Sequence, residues 1–260
     1  MMDIAESKKT KQCFVSMLDI LGTSNILCSK DQLKINKYIV NLENLYDEVY
    51  EKMNLDQCTF SDNIFIHTNS CADDEFNDLI LHLASFQFIA IVEYDFLLRG
   101  GVSQGGLYHP HKNTQYDFIT GDAVISAHKL ESRDALYPRI VIARELYDKY
   151  KNKIDPKFIL MEGKMPYINY LSSASTEEFI DEDLIQSHRD ALIRHIHQNN
   201  ELNINSEEWD RIRAKDIWIL SYHNNFCREN DLDFRINYYE EYDRAKEKIM
   251  IELLYNEGQA

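Results

Sequence analysis

Glycine is scarce in this chain and unevenly distributed. Six of the eight, Gly22, Gly100, Gly101, Gly105, Gly106 and Gly121, fall within Phe14–Leu27 (FVSMLDILGTSNIL) and the run from Arg99 (RGGVSQGGLYHPH) to Ser132 (FITGDAVISAHKLES). Glycine serves where backbone turns tightly or approaches something closely, so these stretches are where chemistry is expected. By contrast, no glycine lies between Gly163 and Gly258, and the last proline is Pro166. A segment so free of breakers predicts helices. The spacing therefore divides the chain into a domain over 10–172 and a helical C-terminal extension over 173–260, with Ser173 or Ser175 as the cap of the next helix.

The first part alternates its periodicities. QCFVSMLDI, ending at Asp19-Ile20, reads as a strand rich in β-branched and aromatic residues. Leu33, Tyr38, Ile39, Leu42, Leu45, Tyr46 and Val49 recur at helical intervals and predict a core-facing stripe. QCTFSDNIFIHT predicts two short strands about a turn at Ser61-Asp62-Asn63. A second long helix follows in DEFNDLILHLASFQFIAIVEYDF, then a strand broken by the double glycine of LLRGGVSQGGLYH. GDAVISAHKLESRD is a third helix, PRIVIA a strand and FILMEGKMPYINYL a hairpin. The expected fold is α+β: a mainly antiparallel sheet with helices packed on it.

Bulk properties exclude several functions. The five cysteines are scattered, with no C-x-x-C pair, so neither a zinc knuckle nor a disulfide framework is indicated. A net charge of −16 without a basic patch argues against nucleic acid as a partner. No run reaches the roughly 20 apolar residues of a membrane span, and the N-terminus lacks an apolar signal core; the expectation is a cytoplasmic protein with no membrane partner. His188, His195 and His197 resemble a metal cluster, but 197 leaves the face shared by 188 and 195, and no cysteine joins them.

Asp19 ends one predicted strand, and Asp62 sits at the turn between two others. Should those strands be neighbours, both carboxylates reach one end of the sheet. Like charges held close repel unless a cation lies between them, and magnesium favours one or two carboxylates plus substrate phosphates. Gly22, Thr23 and Ser24 then offer backbone N–H groups and hydroxyls to phosphate oxygens. Taken singly, each aspartate reads first as a turn residue; taken together with the glycine-rich stretch from Arg99, the pair reads as metal ligands.

Four motifs in order resemble those of the class III nucleotidyl cyclases over about residues 12 to 170. Asp19-Ile20-Leu21-Gly22-Thr23-Ser24 is similar to the family's first metal motif, and Asp62 in SDNIFI to its second metal aspartate. RGGVSQGG, Arg99 to Gly106, is similar to the R-x-G-I-x-x-G strand, and Gly121 to Glu131 to the helix that follows. The family's transition-state asparagine falls on Ile125, and its arginine on Lys129. The base-reading aspartate falls on Phe118, with Asp117 adjacent, and a purine-reading Lys or Glu falls on Cys58. Keeping the metal set while losing the purine set resembles the bacterial pyrimidine cyclases of Pycsar antiphage defence. That likeness implies a ferredoxin-like cyclase sandwich that works as a homodimer with shared active sites. It implies that UTP or CTP is cyclised, UTP ahead of CTP, and that the product activates a separate effector.

The resemblance further implies two Mg2+ or Mn2+ ions held by Asp19, Asp62 and the Ile20 carbonyl. The cation aimed at the α-phosphate is then Lys129, from either subunit, or Arg99. Phe118 and Cys58 would wall the base pocket, with Tyr50 or Tyr116 donating to a base carbonyl. Asp122 reads as a cap for its own helix.

Overall fold

The computed structural model describes residues 10–52, 55–110, 118–176, 178–200 and 206–244. It forms two compact units, one taking residues up to Ala90 together with Phe96–Ser173, the other Ile91–Asp95 with the chain from Ala174 onward.

The first unit is built on seven strands: β1 (Lys11–Ile20), β2 (Asp56–Phe60), β3 (Asn63–His67), β4 (Leu98–Leu107), β5 (Ile140–Ile142), β6 (Ile159–Glu162) and β7 (Met165–Ile168). They are ordered β2-β3-β1-β4-β5-β7-β6. Every pairing is antiparallel except β4 with β5. Helices α1 (Thr23–Leu27), α2 (Gln32–Lys52), α4 (Asp122–Arg133) and α5 (Arg144–Tyr150) belong to this unit, as does most of α3 (Asp73–Tyr94). The α+β class with a mainly antiparallel sheet is as the sequence predicts.

β1 lies in the interior of the sheet, between β3 and β4, and Cys13 through Leu18 are all buried. Period-two alternation assigns the faces. Phe14 meets Phe76 of α3 and Tyr150 of α5, with ring centroids 4.8 and 5.2 Å away. On the opposite face Cys13, Val15 and Met17 form a cluster with Ala123 and Ala127 of α4. α3 is long and apolar enough to cross a bilayer, which corrects the expectation that no segment is. Here Phe76, Leu79, Ile80 and Leu83 are fully buried.

Three local readings change. β4 is unbroken, and both glycine pairs lie inside it. At Gly101 the reason is close approach: an added Cβ would stand 2.5 Å from the Ala127 carbonyl oxygen. In α2, Tyr38 and Leu45 are buried as expected, whereas Leu33 and Ile39 are exposed, because only part of the stripe finds something to cover it. Neither Ser173 nor Ser175 caps the next helix; α6 (Glu182–Asn200) starts after Asp181, whose carboxylate accepts from the Leu184 N–H at 3.2 Å.

The second unit contains α6, α7 (Ser206–Glu229) and helical residues 238–244. The three histidines that looked like a cluster in sequence take separate partners. His188 bonds His223 (Nδ1 to Nδ1, 3.0 Å), His195 faces Asp216 at 3.4 Å and His197 faces Glu241 at 3.3 Å. Among the described residues no group of three or more His, Cys, Asp or Glu is placed to hold a metal.

Candidate functional site

Strand register brings the first two motifs to one end of the sheet. Asp19 pairs with Asn63 on β3 and with Arg99 on β4, so Asn63, Asp19 and Arg99 form one row across three strands. Asp62 immediately precedes that row. Its carbonyl accepts the Ile20 N–H at 3.2 Å, which extends the ladder into the turn, and its carboxylate accepts from the Asn63 side-chain amide at 3.3 Å. The turn is tight enough to hold Ser61 at a φ of 59°. Asp19 and Asp62 both push up the pKa of the Tyr38 phenol, after burial as the first cause, so the two negative charges converge on one neighbourhood.

The segment after Asp19 is shaped by Gly22, whose φ of 87° reverses the chain into α1. The Thr23 hydroxyl turns inward rather than toward ligand. It donates to the Ile20 carbonyl at 2.9 Å and, having spent its proton there, accepts from the Tyr38 phenol at 2.9 Å. Thr23 is thus a buried strut under the turn, and Ser24 is the exposed hydroxyl of the pair. The second lone pair of the Ile20 carbonyl remains a candidate donor to a metal.

Arg99 is already engaged. Its Nε donates to Asp19 Oδ2 at 2.8 Å, while its Nη2 lies 2.8 Å from Glu131 Oε1 on α4. The Glu131 side chain is only 3% exposed, and His128 Nδ1 stands 3.4 Å from its other oxygen. Burial raises the Glu131 pKa, and Arg99 opposes that rise most strongly. Sequence reasoning gave Glu131 no role. The signal was present: Ala123, Ala127 and Glu131 share the buried side of α4, and a carboxylate continuing a row of alanines requires a cationic partner.

Other expected residues are dispersed. Cys58 pairs with Phe65, which pairs with Met17, so it occupies the Asp19 face two strands over and two residues back, about 12 Å from Asp19 by strand spacing and rise. Phe118 packs on Tyr108, 5.7 Å between rings, beyond the far end of β4 from Arg99. Lys129 is exposed on α4, and Ile125 is 57% exposed. One chain therefore does not bring Phe118 to Asp19, and Lys129 lies off the buried side of α4 that carries Glu131. Asp122 does not cap its own helix; its carboxylate accepts from the Gly106 N–H at 2.9 Å, pinning the start of α4 to β4. Tyr116 and Asp117 lie outside the described residues, as does the side chain of Tyr50.

The donor set at the sheet end is all oxygen: two carboxylates and one backbone carbonyl. Such a set suits a hard divalent cation, which takes oxygen ligands and leaves positions for phosphates.

No protein-family profile and no curated protein matches the chain. Among solved structures it is similar to the adenylyl cyclase CyaB from P. aeruginosa (15% identity, 66% of this chain and 97% of that one, TM-score 0.49). It is similar also to the guanylate cyclase domain of RhGC from Catenaria anguillulae in complex with GTP (18% identity, 63% and 98%, TM-score 0.45). A third is the monomeric guanylyl cyclase domain of the RhoGC fusion protein from Blastocladiella emersonii (17% identity, 62% and 95%, TM-score 0.46).

Proposed function

We propose that the chain is a metal-dependent nucleotidyl cyclase acting on a pyrimidine nucleoside triphosphate, UTP ahead of CTP. The observation that carries this reading is the register that sets Asp19 and Asp62 at one sheet end, beside the Ile20 carbonyl. The ribose 3′-oxygen attacks the α-phosphorus, the bond to the β-phosphate oxygen breaks, pyrophosphate leaves, and the 3′-hydroxyl proton passes to solvent. Two Mg2+ or Mn2+ ions held by Asp19, Asp62 and the Ile20 carbonyl would neutralise phosphate charge when bound. Gly22 and Ser24 border the phosphates, with Thr23 beneath them, and Cys58 and Phe118 wall the base. Because Phe118 lies beyond the far end of β4 from Asp19, and Lys129 is exposed off the buried side of α4, the working unit is a homodimer in which each site takes Lys129 and Phe118 from the other copy. The product serves as a second messenger to a separate effector in antiphage defence.

A second reading, an inactive cyclase-like binding module, is favoured by the Arg99 pairing that occupies Asp19 and by Ile125 at the family's asparagine position. Incubation with each of the four NTPs and Mn2+, with products separated by mass, decides between them. Cyclic UMP or CMP, lost in Asp62→Ala, supports the first. Nucleotide-dependent thermal stabilisation without turnover supports the second. Cyclisation of ATP alone refutes the pyrimidine assignment.

A further inference from the structure

We infer that Glu131 is a positioning residue for the proposed metal site: it shares Arg99 with Asp19 and so keeps Asp19 exchangeable for a cation. The inference rests on the metal-site reading above. Arg99 reaches two carboxylates with two different nitrogens, Nε to Asp19 and Nη2 to Glu131, each at 2.8 Å. The two carboxylates differ in their freedom. Glu131 is 3% exposed on a helix whose alanines pack on the sheet, whereas Asp19 is 16% exposed at a strand end. A buried carboxylate stripped of its cation carries a large desolvation penalty, so Glu131 holds Arg99 firmly. Asp19 is the partner that can turn away.

Two consequences follow for cation binding. With Glu131 present, part of the guanidinium charge is neutralised, and Asp19 exchanges Arg99 for a divalent ion at modest cost. The released guanidinium stays anchored next to the site by Glu131. Without Glu131, Arg99 turns its whole charge on Asp19 and competes with the cation. Arg99 is on this account a placeholder for the ion.

The test measures Mn2+ binding to the full chain without nucleotide, from the electron paramagnetic resonance of the free ion, on protein verified as folded by circular dichroism. Glu131→Gln is expected to weaken Mn2+ binding by about two- to fivefold, the size of one partly exposed ion pair redirected at Asp19. Glu131→Asp keeps the charge but withdraws it by one methylene, and should fall between. Arg99→Gln/Glu131→Gln removes the competitor together with the buried charge, and should restore wild-type affinity or better. A structural role alone would lower the melting temperature of Glu131→Gln without changing Mn2+ affinity, and that result overturns the inference. So does a double variant that binds as weakly as Glu131→Gln. Asp62→Ala separates the two levels: if it leaves Mn2+ affinity intact, the metal site itself is wrong; if it abolishes binding while Glu131→Gln has no effect, only the role of Glu131 is wrong.

Discussion

Replacing Gly101 by alanine tests whether the closeness of α4 to β4 shapes the site. The new methyl would lie 2.5 Å from the Ala127 carbonyl oxygen, 2.5 Å from Leu130 Cβ and 2.9 Å from the Glu131 nitrogen. Ordinary contact begins near 3.4 Å, so α4 must retreat by 3.4 − 2.5 = 0.9 Å. Helix backbone cannot swing aside as a long side chain does, so α4 moves as a body. Such overpacking costs about 1–3 kcal/mol. Alanine returns about 0.4–1 kcal/mol by restricting the unfolded chain, which leaves a net loss centred on about 1.3 kcal/mol. If the retreat lies along the Arg99–Glu131 line, their separation grows from 2.8 to 3.7 Å, which stretches and weakens the ion pair. Urea denaturation followed by far-ultraviolet circular dichroism reads the stability. A Gly101→Ala protein within about 0.5 kcal/mol of wild type, the ordinary range for harmless surface changes, would refute the argument that backbone crowding selects glycine here.

Other perturbations have definite signs. Phe14→Ala removes a fully buried ring packed on Phe76 and Tyr150 and should cost about 3–5 kcal/mol in the same assay. In the second unit, His223 Nε2 donates to the Phe234 carbonyl at 2.9 Å, so its Nδ1 accepts from His188 and both rings are neutral. Burial depresses the pKa of each. The unfolded chain therefore binds more protons, and the stability from these residues is full above the unfolded pKa of about 6.5 and lost as pH falls below it. Thermal melts from pH 8 to 5 should show that loss, and His188→Gln should flatten it. Native thiol titration should label exposed Cys28 quickly and Cys13 only on unfolding, because Cys13 is buried and its thiol is pushed up to about 12.

Much of the first unit was legible in the sequence because its elements announce themselves locally. The apolar run to Asp19 gave β1, the Ser61-Asp62-Asn63 turn gave the β2–β3 hairpin, and the long periodic segments gave α2 and α3. What the sequence hid was set by partners far along the chain. Glycines within a strand read as interruptions until a helix is seen against them, as at Gly101. Asp122 reads as a helix cap until β4 is placed beside it. Thr23 and Ser24 look alike in sequence, yet only Tyr38, 15 positions later, decides which hydroxyl turns inward. Asp19 was legible as a carboxylate at a strand end; its link through Arg99 to Glu131 spans three elements and leaves only one trace, an acid in a row of alanines.

The interior position of β1, between β3 and β4, has a consequence for biosynthesis. Its residue Lys11 faces Leu107 of β4, 96 positions later, and its other neighbour β3 ends at His67. At about 5–20 residues per second of translation, the 40 residues from 68 to 107 take on the order of 2–8 s, during which β1 has one edge open. During that interval the nascent chain exposes an unpaired apolar ribbon, and Asp19 has no Arg99 beside it. Cellular yield should therefore respond to chaperone supply and to elongation speed across codons 68–107, even where the finished protein is stable.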